Sequence, residues 1–480
     1  MDTLISRAEC PVYVDLDGTL IRSDLLWETL FLFARQNPLQ FCRVFGWLAQ
    51  GKAVLKDELA ARVEFDAATL PYREEVVAAL QAEREMGRRV VLATASNERL
   101  AHAVADHLGL FDEVLASDRD TNLSSSRKLE RIQAGCGAQG FDYFGNSQDD
   151  VCLFQAARQA TVVQPDRAAT NWHTGADPHT RLIRDEGHPA RALVKALRPH
   201  QWMKNVLVFV PIVLTQEFLN FGLFFAGFLA FLSFSFAASS VYIVNDLLDL
   251  SADRRHRTKR NRPFASGRVP IPTGLLMAAG LLVLSFGIAA FLPPTFALVL
   301  AVYLAATTAY SFALKRMLLI DVLTLAGLYT MRIVGGSAAA TTQESFWLLA
   351  FSIFFFLSLA LVKRYTELAD FGSGASRAVT GRGYVDEDIE TIGQAGMASG
   401  FASVLVLALY IDSAEVNSLY NHPYMIWPLC PLVLYIIVRI WVLARRRQMN
   451  EDPVVFILRD WRSQIMIAIG AIMFAGAAYV

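Results

Sequence analysis

Polar and apolar positions recur along this chain on two length scales. Up to about residue 190 the apolar runs are short. PVYVDLDGTL, residues 11–20, reads as a brief buried strand that ends in two acids and a glycine turn, and RRVVLATAS and FDYFGNSQDD read as further strands running into polar loops. Between the first two, LLWETLFLFARQ and LQFCRVFGWLAQ carry helical periodicity, which predicts a helical cap over 21–88. Trp27, Phe31, Phe33, Phe41, Phe45 and Trp47 form either its core or, on the sharper reading, a lipid-facing surface. Residues 164–190 are polar and turn-rich without period, the mark of a linker.

Beyond the linker the apolar runs lengthen to membrane-spanning size, and nine segments are predicted: 201–216, 221–244, 271–292, 294–312, 318–338, 345–362, 394–412, 423–443 and 461–479. The loops between them differ in charge. Every second one is basic: 251–268, then Lys315 and Arg316, then Lys363 and Arg364 with Arg377 and Arg382, then Arg445 to Arg447. The alternate loops carry no Lys or Arg, so the basic loops and the N-terminal domain are expected on the cytoplasmic side of a bacterial inner membrane.

The fold class that follows is two-domain. An N-terminal α/β domain of Rossmann-like type with a helical cap covers 1–163, a linker 164–190, and an all-α membrane bundle 191–480. Composition agrees, with 480 residues of which 54% are hydrophobic and 19% charged. A net charge of −1 without a continuous basic face argues against a nucleic-acid partner. Five scattered cysteines signal neither zinc nor a disulfide framework, and the opening residues lack the pattern of a cleavable signal peptide.

Candidate chemistry concentrates in NDLLDLSADRRHRTKRNRPFASG, residues 245–267. On a helix Asp246, Asp249 and Asp253 share one stripe, and their repulsion demands a cation. Oxygen ligands at a membrane boundary suit Mg²⁺, which accepts one or two carboxylates plus substrate phosphates. The following Arg254, Arg255, Arg257, Lys259, Arg260 and Arg262 either hold phosphate oxygens or sit among anionic headgroups. A second polar stretch, from Tyr310 to Gly336, contains Lys315, Arg316 and Asp321; an Asp at a helix mouth needs a partner, and a second Mg²⁺ serves. Arg332, three turns further along, points into the bundle or snorkels outward. Lys204 near the first segment either anchors at the headgroups or contacts phosphate.

Asn245-Asp246, Asp249 and Asp253-Arg254 followed by KRNRPFASG resemble the first signature of the UbiA superfamily of membrane prenyltransferases, from about Leu197 onward. The resemblance implies nine helices and a cytoplasmic active site. The common second motif has two acids four apart, and this chain has Leu325 in place of the second. RPHQWMKN, YSFALK with IDV, and MRIVGG are more similar to the decaprenyl-phosphate phosphoribosyltransferase branch than to the 4-hydroxybenzoate branch. That implies phosphoribosyl pyrophosphate and a polyprenyl phosphate as substrates, Mg²⁺ on Asp246, Asp249, Asp253 and Asp321, and substrate contacts from Lys204, Asn245, Arg254, Lys259, Arg262, Tyr310, Lys315, Lys363 and Arg364. LALVKRYTELAD with Arg377 and Tyr384 continues the likeness.

The N-terminal motifs resemble the haloacid dehalogenase (HAD) phosphatases. The resemblance implies Asp15 as nucleophile, Asp17 as general acid and base, Thr94 and Lys128 holding the phosphoryl group, and Mg²⁺ on Asp15, Asp17, Asn146 and Asp150. Asn146 stands where an Asp is usual, which removes one negative charge from the metal site. The fusion suggests that the phosphatase removes the 5-phosphate from a phosphoribosyl lipid. An aromatic prenyltransferase using a polyprenyl diphosphate and a non-catalytic lipid-phosphate binding protein are the alternatives.

Overall fold

The computed structural model describes residues 10–479 except 137–139, 176–179, 186–188, 216–219, 344, 372–382, 414–415, 417–422 and 450–451. Arg377 and Arg382 therefore lie outside the described residues. The chain forms two compact units, Met1–Leu197 with Ile243–Met277, and Arg198–Tyr242 with Ala278–Val480.

In the first unit, strand β1 (Val12–Val14) is buried at every residue, as the centre of a parallel sheet covered on both faces requires. It pairs with β2 (Val90–Asn97) on one side and β4 (Asp142–Gly145) on the other. Beyond these lie β3 (Glu113–Ser117), β5 (Gln159–Val163) and β6 (Arg181–Ile183), giving the order β3-β2-β1-β4-β5-β6, parallel throughout. The strand order reverses between β1 and β4, the place where open α/β sheets put their ligands. Asp15 follows β1 and Asn146 follows β4.

The cap consists of helices Leu25–Gln36, Arg43–Gln50 and Lys52–Ala60, whereas helix Glu74–Glu85, in the last part of the stretch expected as cap, buries Val76 and Leu80 in the core of the sheet. Phe33, Val44, Trp47, Leu55 and Leu59 make its small core, with the Phe33 and Trp47 rings edge to face at 5.4 Å. Phe45 departs from the expected core, being 68% exposed, and Trp27, Phe31 and Phe41 are half-buried.

The stretch expected to be a linker carries structure instead. Helix Arg167–Gly175 and strand β6 lie within it, and β6 completes the sheet by pairing with β5. Three strand residues, Arg181 to Ile183, are too few to show a period of two. The domain division also differs from the one read along the chain, since Ile243–Met277, with the acidic motif, belongs to the same compact unit as the α/β sheet.

In the second unit the elements are helical. Among the described residues seven helices are long and apolar enough to cross a membrane, from Phe221–Leu248 to Tyr424–Arg445. The first expected segment is instead a 3₁₀ stretch, Pro199–Val208, and a short helix, Phe209–Leu214. The last, Trp461–Tyr479, has a described apolar part of only Trp461–Phe474. Packing between helices uses small and hydroxyl residues, as expected where lipid removes the hydrophobic incentive to associate. Ser233 and Ser285 each donate to the other's carbonyl, at 2.9 and 2.7 Å.

Candidate functional site

The loop after β1 turns at Gly18, whose φ of +75° favours glycine and whose missing Cβ leaves room for the Asn146 side chain. Thr19 donates to Asn146 Oδ1 at 3.3 Å, so the amide sits beside the two acids of the first motif. Lys128 Nζ donates to Asp15 Oδ1 at 2.8 Å and lies 3.6 Å from Asp150, with all three side chains buried. Thr94 is fully buried, its hydroxyl oxygen accepting from the Ser96 amide.

The two acids of this loop differ in their partners. Burial pushes the Asp15 carboxyl up to about 6 against the pull of Lys128. Asp17 rises to about 7 through burial and the neighbouring Asp24 and Asp15, while Ser96 donates to its Oδ2 at 2.5 Å and the Leu25 amide to its Oδ1 at 2.8 Å. A carboxyl that holds its proton near neutrality suits a general acid.

Asp150 has a different task from the metal ligation expected of it. Its Oδ2 accepts from the amides of Asn146 and Ser147 and from the Ser147 hydroxyl, and its Oδ1 from Tyr143. Oδ2 thus caps the turn that carries Asn146, while Oδ1 is tied to strand β4 through Tyr143. Asp17, also expected on the metal, has both carboxylate oxygens taken by the Ser96 hydroxyl and the Leu25 amide, which leaves Asp15 and Asn146 as the oxygen donors whose chemistry fits Mg²⁺.

The acidic motif of residues 246–253 is less regular than one helical stripe. Helix Phe221–Leu248 ends before Asp249, and a short helix, Leu250–Arg255, begins after it. Asp246 and Asp253 nevertheless converge, both 3% exposed, because Arg262 Nη1 donates to Asp246 Oδ1 at 3.0 Å and to Asp253 Oδ2 at 2.6 Å. Asp249 points elsewhere and accepts from Arg35 at 2.7 Å. Among the described residues no group of three His, Cys, Asp or Glu side chains gathers as a metal cage. Two buried carboxylates that share one cation still fit the smaller demand of Mg²⁺, which keeps water and takes phosphate oxygens for its other positions.

Other candidates of this motif divide. Arg254 donates to both carboxylate oxygens of Glu28, at 3.1 and 2.6 Å, and to the Ala265 carbonyl at 2.8 Å. A guanidinium so engaged is a strut rather than a free phosphate contact. Lys259 is exposed and Asn245 half-buried.

In the second unit Asp321 opens helix Ile320–Ala340 and is completely buried. Its partners are Arg364, which donates to Oδ2, and Tyr384, which donates to Oδ1 at 2.5 Å. Both oxygens are thus occupied, and the partner that burial demands is a guanidinium where a second Mg²⁺ was expected. Arg364 also pairs with Glu367, so it too is committed within the protein.

Lys204 and Lys363 come together at Asp452, at 2.6 and 3.8 Å, where Tyr329 also donates at 3.1 Å. Burial alone raises the Asp452 carboxyl, but the two lysines outweigh it and hold it at about 2. Arg332 points inward, donating to Asn205 at 2.7 Å and to the Tyr303 hydroxyl at 3.0 Å. Tyr310 is half-buried, and Lys315 lies in the turn Leu314–Arg316.

Residues 206–459 match the UbiA prenyltransferase family, more than half of the chain. The chain belongs to the UbiA prenyltransferase family. Residues 12–155 of this UbiA-family protein match the haloacid dehalogenase-like hydrolases, in agreement with the parallel sheet. With its apolar helices it is an integral membrane protein and a transferase of the prenyltransferase type.

Among its relatives is protein y4nM of Sinorhizobium fredii, of uncharacterised function, 38% identical over 97% of this chain and 91% of the relative. The nodulation protein NoeC of Azorhizobium caulinodans is 33% identical, over 58% of this chain and 91% of its own length. A decaprenyl-phosphate phosphoribosyltransferase of Corynebacterium glutamicum is 37% identical over 40% of this chain and 61% of its own.

Sequence reasoning missed Glu28, Arg35, Tyr329 and Asp452. A cation beside an apolar helix, as Arg254 and Lys204 are, calls for an acidic partner, but nothing local in the sequence names it.

Proposed function

We propose that this UbiA-family transferase moves a 5-phosphoribosyl group from phosphoribosyl pyrophosphate to a polyprenyl phosphate in a Mg²⁺-dependent reaction, and that the HAD-like domain then removes the 5-phosphate of the sugar. The observation that carries the first step is the buried Asp246 and Asp253 pair bridged by Arg262. Two carboxylates supply hard oxygen ligands, and the guanidinium supplies donors for phosphate oxygens. Bound Mg²⁺ would neutralise charge on the departing diphosphate. Asn245 precedes this trio in sequence, and Asp249 and Lys259 lie within it. Within the second unit Lys204 and Lys363 share one carboxylate, a surplus of positive charge that suits a phosphate. The apolar helices hold the isoprenoid tail, each buried CH₂ contributing about 0.8 kcal/mol. The Corynebacterium relative's name agrees with this substrate pair.

For the second step, Asp15 would serve as nucleophile, and the Lys128 that donates to it would neutralise charge on the phosphoryl group. Attack of Asp15 on phosphorus forms an aspartyl phosphate as the sugar oxygen leaves with the proton of Asp17. Water then hydrolyses that intermediate, with Asp17 taking its proton.

Purified protein incubated with Mg²⁺, labelled phosphoribosyl pyrophosphate and polyprenyl phosphate should yield a lipid-linked ribose that has lost its 5-phosphate. Asp15→Asn should accumulate the phosphorylated form. Product only from a polyprenyl diphosphate and a phenolic acceptor would replace the first step, and retention of the 5-phosphate by wild type and Asp15→Asn alike would remove the second.

A further inference from the structure

Helix Leu25–Gln36 leaves the HAD-like loop and carries two side chains, Glu28 and Arg35, seven residues apart and so on one face. Both meet the acidic motif. Glu28 accepts from Arg254 through both carboxylate oxygens, with only 8% and 9% of the two side chains exposed. Arg35 donates to Asp249 Oδ1 and, at 3.3 Å, to the Leu248 carbonyl, at the point where the long helix ends. A third contact is steric. Gly267, with φ of +70°, lies so close to Arg22 that a Cβ would stand 2.7 Å from the Arg22 carbonyl oxygen.

We propose that the HAD-like domain acts as a clamp on the acidic motif, with Glu28 and Arg35 as positioning residues for the diphosphate half of the transfer. This rests on the transfer reading given above. Arg254 transmits the hold. Its Nη atoms are fixed by Glu28 while its Nε donates to the Ala265 carbonyl, and the same turn carries Arg262, the cation between Asp246 and Asp253. Removing Glu28 frees Arg254 and with it the turn that sets Arg262. Arg35 fixes the other side of the motif by holding Asp249 away from the Asp246 and Asp253 pair.

The helix that does this is itself fixed by the phosphatase loop. The Leu25 amide donates to Asp17, and Asp24 caps the helix by accepting from Leu26 and Trp27. The clamp needs the folded HAD-like domain but none of its catalytic chemistry.

The test uses the full chain in detergent and two readouts, the KM and kcat for phosphoribosyl pyrophosphate and the binding of inorganic pyrophosphate with Mg²⁺. Glu28→Ala and Glu28→Gln should each weaken pyrophosphate binding about tenfold or more and raise KM by a similar factor with a smaller change in kcat. Arg89→Ala, which breaks an exposed pair with Glu113, is the control and should change neither. The exchange Glu28→Arg with Arg254→Glu should recover most of the binding, which general damage to the fold would not allow. Glu28→Gln binding pyrophosphate as wild type does, or an exchange as weak as the single change, overturns the clamp. Should wild type make no phosphoribosyl lipid, the loss and recovery of pyrophosphate binding still upholds the clamp while rejecting the assigned substrate.

Discussion

Arg364 and Asp321 form an ion pair in which neither side chain retains any contact with solvent. Such a pair stabilises weakly as a whole but is costly to break, because the survivor is a buried unpaired charge. Asp321→Ala should lower stability by about 3–5 kcal/mol. Thermal unfolding in detergent measures this, and added Mg²⁺ should not restore it. Restoration by Mg²⁺ would return Asp321 to the metal ligands.

Arg262 plays a different part, since its partners are two acids that a metal ion can also satisfy. Arg262→Ala should weaken binding of pyrophosphate by roughly 10–100-fold. It should also make the protein less stable without Mg²⁺ than with it, by more than in wild type. Equal Mg²⁺ dependence of the melting temperature in the two proteins would contradict this role.

The Asp452 carboxyl is held at about 2, below its ordinary 3.8, by Lys204 and Lys363. A depressed carboxyl contributes stability that is complete above its unfolded value and is lost as pH falls through the folded one. Wild type should therefore lose about 2 kcal/mol between roughly pH 4 and pH 2 that Asp452→Asn does not lose. Unfolding curves across that interval compare the two, and parallel pH profiles would exclude the linkage.

Cys42 is exposed, while Cys10 and Cys136 are buried and burial pushes their thiols up. The charge of the loops predicts that this domain faces the cytoplasm, and the label tests it. A membrane-impermeant maleimide should label wild type in inside-out vesicles and not in right-side-out ones, and Cys42→Ser should lose most of the label. Labelling from the outer side would reverse the orientation.

The sequence makes legible whatever is contiguous. Asp15 and Asp17 follow a short strand, Thr94 lies late in strand β2 and Lys128 is in the first turn of a helix, so each motif announces its place toward the carboxyl edge of the sheet. The apolar helices are legible by length. What stays hidden is pairing across the chain: Glu28 with Arg254 is separated by 226 positions, Arg35 with Asp249 by 214 and Lys204 with Asp452 by 248. No period links such partners. Periodicity also places Asp246, Asp249 and Asp253 on one stripe, yet the helix break at Asp249 and the pull of Arg35 divide them. β6 escapes notice because the neighbour that makes Arg181–Ile183 a strand is β5.

The proposed transfer requires that the Asp246 and Asp253 pair grip a diphosphate through magnesium. Calorimetric titration of inorganic pyrophosphate into the full-length protein, with and without Mg²⁺, measures this directly. Wild type should bind only with Mg²⁺, and Asp246→Asn and Asp253→Asn should each lose binding by roughly 10–100-fold. Pyrophosphate binding that is indifferent to Mg²⁺, or unchanged in both variants, would contradict it.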